Sequence, residues 1–128
     1  MKLGYVIYYV ESVEATIAFY ENAFGFSRKF VHESGEYGEL ATGETTLSFA
    51  SLNMAEMNGI GFTGRAKDFK SAEMEIGLVT SDVLAAHKKA VSAGATEVKE
   101  PTQKPWGQTV SYVRDPNGFL IEICSPIG

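Results

Sequence analysis

The chain has 128 residues, fewer than the roughly 150 that one domain typically occupies, so a separate cofactor module is not expected. With 45% hydrophobic and 21% charged residues it has the composition of a globular protein that buries a core. Eleven Lys and Arg against 16 Asp and Glu leave a net charge of −5, which argues against nucleic acid as a partner. Cys124, the single cysteine, cannot form an internal disulfide or a Cys-rich metal site. No secretion-type leader and no apolar run near the roughly 20 residues of a bilayer span is evident, so a cytoplasmic location without membrane contact is expected.

Residues 3–10, rich in Tyr, Val and Ile, predict a strand buried on both faces. Ser12 offers an N-cap to a helix on which Val13, Ile17, Tyr20 and Phe24 recur at helical spacing, and Gly25 can close it in the left-handed conformation. Extended segments follow over 26–32, 37–41 and 45–50. Residues 53–71 show neither a strand nor a helix pattern, yet carry Met54, Met57, Ile60, Phe62 and Phe69. Such apolar content in a linker suggests a segment lying over a cleft or against a second subunit, with ordinary loop packing as the plain alternative.

The second half repeats the order. A strand over 74–80 precedes a helix capped by Asp82, with Val83, Ala86, Ala90 and Ala93 spaced for burial and Gly94 closing it. Strands then fit 97–100, 108–114 and 119–124, the last two joined by the turn Asp115-Pro116-Asn117-Gly118. One constant shift sets Tyr5 on Glu75, cap Ser12 on cap Asp82, Val13 on Val83 and Ala23 on Ala93. The agreement of caps, helices and strand order points to an internal repeat: a first module over 1–52, a linker over 53–72 and a second module over 73–128.

The segment over 10–25, the strand-to-helix segment over 79–95, Pro105-Trp106-Gly107, Tyr112-Val113-Arg114-Asp115-Pro116-Asn117-Gly118 and Ile121-Glu122 together resemble the vicinal oxygen chelate superfamily. That group contains glyoxalase I, extradiol dioxygenases and the bleomycin-resistance and fosfomycin-resistance proteins. The resemblance spans essentially the whole chain. It implies an α+β fold of two βαβββ modules forming a curved mixed sheet around a cleft, usually in a homodimer, and leaves the reaction open.

Alternate residues of a strand point to opposite faces. In the last strand Ile121 and Ile123 should meet the helices, leaving Glu122 and Cys124 toward the cleft; Met74, Ile76 and Leu78 should pack under the helices, leaving Glu75 and Gly77. In the first module Tyr5 and Ile7 oppose Val6 and Tyr8, while Leu47 and Phe49 go to the core and Ser48 to the cleft. The resemblance implies that Tyr5, Ser48, Glu75 and Glu122 occupy the positions where metal-dependent members carry His and Glu ligands. Only two carboxylates remain there, whereas a catalytic transition-metal site takes three or four protein groups. His32, beside a turn, and His87, on the second helix, are read as structural.

Glu75 and Glu122 are the candidate catalytic residues: close together, they would form an acid/base pair, a receptor for a cationic ligand, or a weak oxygen site for Mg or Mn. Trp106, Tyr112, Met57 and Phe62 would supply aromatic and soft apolar walls, with Tyr5, Ile7, Ser48 and Cys124 as further ligand contacts. The sequence favours a metal-independent small-molecule-binding protein similar to the antibiotic-sequestering members, without a cofactor and with a cationic or aromatic ligand. The alternative is a glyoxalase-like lyase or isomerase, or a dioxygenase, using Glu75 and Glu122 for a divalent metal ion or for acid/base chemistry. A regulatory subunit whose cleft takes a protein partner is a third reading.

Overall fold

A computed structural model of the chain describes residues 1–60 and 73–127. The chain divides into two compact units, Met1–Gly64 and Arg65–Gly128. The first contains β1 (Tyr5–Val10), α1 (Val13–Phe24), β2 (Ser27–Val31), β3 (Tyr37–Ala41), β4 (Thr46–Ser51) and α2 (Leu52–Met57). Its sheet has the order β1-β4-β3-β2, with β1 parallel to β4 and the remaining pairs antiparallel.

The local chemistry explains α1. The Ser12 hydroxyl accepts from the Ala15 amide at 3.1 Å, and Gly25, at φ 73°, ends the helix in the left-handed region. Val13, Ile17, Tyr20 and Ala23 recur on one face and are buried against the sheet. The approach is close. A Cβ added to Gly38 would stand 2.7 Å from Ile17 Cδ1, 3.1 Å from Val13 Cγ1 and 3.2 Å from the Phe30 carbonyl oxygen. Phe49, fully buried, fills the other side of the core, its ring 5.1 Å from that of Tyr20.

Two expectations for this unit are corrected. β1 is not buried on both faces: it is an edge strand, with Tyr8 and Val10 in the core while Tyr5 is 56% and Ile7 43% exposed. Part of the segment read as irregular is the short helix α2. Ser51 starts it, its hydroxyl accepting from the Met54 amide at 2.9 Å and donating to Glu36 Oε2 at 2.6 Å. Only Ala55 of this helix is buried, so two turns gave no apolar period to read.

The second unit contains β5 (Glu75–Val79), α3 (Val83–Ser92), β6 (Thr96–Gln103), β7 (Thr109–Arg114) and β8 (Leu120–Cys124). Its sheet order, β5-β8-β7-β6, reproduces the first with the same parallel pair at one edge. Asp82 Oδ1 accepts from the Ala85 amide at 3.1 Å and caps α3, as Ser12 caps α1. Ile121 and Ile123 are buried toward α3, and Ile76 and Leu78 pair with them across the β5–β8 ladder. Met74 does not join them: it precedes β5 and is 57% exposed. β6 runs further than the predicted 97–100 and carries two register irregularities against β7. The two units are thus α+β modules of the expected βαβββ order, α2 being added to the first.

Among the described residues no helix is long and apolar enough to cross a membrane.

Candidate functional site

Residues directly opposite each other across a ladder share a sheet face. In the second unit Gly77 pairs with Glu122 and Glu122 with Tyr112, so these three positions form one row on the face away from α3. Glu75 lies one step along β5, opposite Leu120, and Cys124 one step along β8, opposite Val110. The Tyr112 hydroxyl donates to Glu122 Oε1 at 2.9 Å. A Cβ on Gly77 would lie 3.9 Å from Glu122 Oε2, so glycine leaves the second carboxylate oxygen uncrowded on that side.

The electrostatics follow from this crowding of acids. Burial, then the Glu122 charge and a hydrogen bond to Glu122, hold the Glu75 carboxyl above its ordinary range. Tyr112 is pushed up to about 12 by burial and by its bond to Glu122, so it remains a donor at any physiological pH. Burial, followed by the hydrogen bond to Glu122 and the two acids' charges, raises the Cys124 thiol, which leaves it a protonated and poor nucleophile. Of the two acids it is Glu75 that is held toward its protonated form. A raised carboxyl favours the fold while protonated and loses that contribution as pH rises through its folded value. Glu75→Gln is expected to stabilise the protein at pH 7 by a few tenths of a kcal/mol, Glu75 being exposed, with no gain at pH 3; chemical denaturation at the two pH values checks it.

The matching row in the first unit is Ile7, Ser48 and Glu39. Tyr5 lies one step along β1 and Tyr37 one step along β3. Ser48, expected toward the cleft, is fully buried, and among the described residues its hydroxyl has no hydrogen-bond partner. Glu39, 7% exposed, accepts from the Tyr37 hydroxyl at 2.7 Å and meets Lys29 Nζ at 3.5 Å. Sequence reasoning missed this buried carboxylate. Its signal was parity: with Leu40 in the core, Tyr37 and Glu39 must share the opposite face.

The structure thus brings Glu75, Glu122, Tyr112 and Cys124 together in one unit, and Tyr5, Ile7 and Ser48 in the other. Trp106 stands apart in the turn between β6 and β7, 65% exposed, its indole N–H donating to Gln108 Oε1 at 2.8 Å. Met57 ends α2 and is 70% exposed, whereas Phe62 lies outside the described residues.

Both histidines are satisfied locally. His32 Nδ1 lies 2.8 Å from Ser34 Oγ. His87 is on the buried face of α3, with Nε2 2.6 Å from Glu97 Oε2 and Nδ1 2.9 Å from Ser111 Oγ. A carboxylate accepts, so Nε2–H donates to Glu97, while Nδ1 and the Ser111 hydroxyl form the second hydrogen bond. Serine, histidine and acid in line have the order of a hydrolytic triad, but Ser111 is fully buried on the helix side of the sheet.

A resident transition metal does not fit these donors. Among the described residues no three of His, Cys, Asp and Glu gather closely enough to hold an ion. Tyr5 and Ser48 offer only a phenol and a buried hydroxyl, and one Glu122 oxygen already accepts from Tyr112.

A model of the Glyoxalase/Bleomycin resistance protein/Dioxygenase superfamily matches residues 2–123. The chain is 28% identical over 127 residues to protein YraH of Bacillus subtilis (strain 168), covering 96% of this chain and 97% of that one. A glyoxalase-related enzyme from Fulvimarina pelagi superposes with a TM-score of 0.84 at 21% identity, over 98% of this chain and 88% of that one. A glyoxalase/bleomycin resistance protein/dioxygenase family enzyme from Burkholderia phytofirmans PsJN gives 0.83 at 21% identity, over 98% of both chains. At that identity the structural likeness shows a shared fold, while the family match spans nearly all of the sequence. This chain is a member of the glyoxalase/bleomycin resistance protein/dioxygenase superfamily.

Proposed function

We propose that the protein is a metal-independent small-molecule-binding protein, similar in kind to the antibiotic-sequestering members of its superfamily. The observation that carries this reading is the donor set. In place of imidazole ligands the first unit offers a phenol and a buried hydroxyl, and the second a pair of acids of which one is held toward its protonated form. Sequestration requires affinity and no stabilised transition state, so it tolerates that loss. The Glu75–Glu122 pair with Tyr112 beside it suits a ligand that is cationic or donates hydrogen bonds, and the Tyr112 ring suits an aromatic one.

The test is a thermal-shift screen of cationic and aromatic antibiotics. A ligand present at about 100 times its Kd should add about 2.7 kcal/mol of stability. The same ligand is expected to lose most of that effect against Glu122→Gln. A screen without any stabilising compound would overturn the reading.

The raised Glu75 carboxyl favours a second reading, in which Glu75 and Glu122 act as acid and base on an acidic C–H of a substrate. Turnover without added metal, abolished by either Glu→Gln change, would replace the binder by a lyase or isomerase. Stoichiometric bound metal lost with Glu122→Gln would replace both.

A further inference from the structure

We propose that the sheet face carrying Glu39 in the first unit is a binding site for an organic ammonium ion, with the Glu39 carboxylate as counter-charge and the rings of Phe30 and Tyr37 as its walls. The inference rests on the reading of the protein as a small-molecule binder and names the ligand class that this face selects.

The geometry starts with a bulge. β2 and β3 pair Arg28 with Leu40 and Phe30 with Glu39, so Lys29 is the extra residue between them. The irregularity places Phe30 directly across from Glu39 while Lys29 still reaches the same carboxylate. Phe30 and Tyr37 have ring centroids 5.9 Å apart at a tilt of 50°, and Phe30 is 40% exposed. Tyr5 pairs with Thr46 and Tyr37 with Ala50, so Tyr5 stands toward the other end of this face from Tyr37. Aromatic faces within about 6 Å of a cation attract it through their quadrupoles.

Charge and hydrogen bonding point to the same class. A carboxylate this deeply buried needs a counter-charge, and Lys29 supplies a loose one, 3.5 Å away with its side chain 57% exposed. The Tyr37 hydroxyl already satisfies Oε2, which leaves Oε1 to whichever cation arrives. Next to Glu39 across the ladder lies the Ser48 hydroxyl, fully buried and without a partner. An ammonium N–H seated between the two gives that oxygen a donor. Ile7, opposite Ser48 across the β1–β4 ladder, is itself 43% exposed. A net charge of −5 draws cations toward the protein.

The experiment is an NMR titration of the full chain with 2-phenylethylamine, using 2-phenylethanol as the neutral analogue. The amine should bind at least about tenfold more tightly than the alcohol, as expected for a charge-assisted contact, with the largest amide shifts in β2 and β3. Glu39→Gln retains an acceptor for Tyr37 and should erase the preference. Lys29→Met removes the competing ammonium from an exposed position and should tighten the amine about threefold, a gain that loss of structure would not produce. Glu44→Gln, in the exposed turn between β3 and β4, changes net charge equally and should leave both affinities unaltered. Equal binding of amine and alcohol would overturn the ammonium site while leaving a small-molecule binder. Shifts confined to β8, or no shifts with either probe, would also overturn it, and the antibiotic screen then decides the broader reading separately.

Discussion

Gly38→Val is expected to lower the stability of the protein by about 3 kcal/mol, at the upper end for overpacking a close-packed core. The reason is the absence of any space above β3. Its first added carbon meets Ile17 and Val13 on a capped helix whose buried face cannot retreat without uncovering Tyr20, and the Phe30 carbonyl on the neighbouring strand. Glycine is required here for proximity rather than for a left-handed backbone, so even alanine should destabilise measurably. Urea denaturation of Gly38→Ala and Gly38→Val checks the order, valine costing more. Because Tyr37 and Glu39 flank Gly38, the same change should loosen the carboxylate on the opposite face.

The second large effect concerns His87. His87→Leu is expected to cost about 2 kcal/mol, because it strands the fully buried Ser111 hydroxyl beneath α3. Glu97 contributes little to that loss, since its half-exposed carboxylate regains water. Adding Ser111→Ala removes the stranded hydroxyl and should restore about 1 kcal/mol, making the two changes strongly non-additive. A double-mutant cycle by chemical denaturation measures this; simple additivity would show that the imidazole and the hydroxyl do not depend on each other.

These two sites show how differently the fold and the candidate site could be read before any coordinates. Helix ends were legible because the Ser12 and Asp82 caps are local chemistry, and the faces of β4 and β8 because Leu47, Phe49, Ile121 and Ile123 alternate with polar residues. The burial of β1 was misjudged because being an edge strand is a property of the sheet, not of residues 5–10. Ser48 was placed on its face by parity, yet its complete burial depends on neighbours such as Tyr37 that only the register identifies. The Lys29 bulge had no signal at all, since it exists only relative to β3. Glu39 could have been found by extending the parity argument to β3, where Leu40 sets the phase.

The equivalent rows of the two units, Ile7–Ser48–Glu39 and Gly77–Glu122–Tyr112, each carry one acid, but on different strands. Two anions facing each other across a single rung would repel, so a substitution that introduces a glutamate at 48 is expected to be accompanied by loss of the one at 39. Positions 39 and 48 should therefore change together as relatives of this chain diverge, a compensated exchange in which the charge on this row moves sideways between partners instead of disappearing.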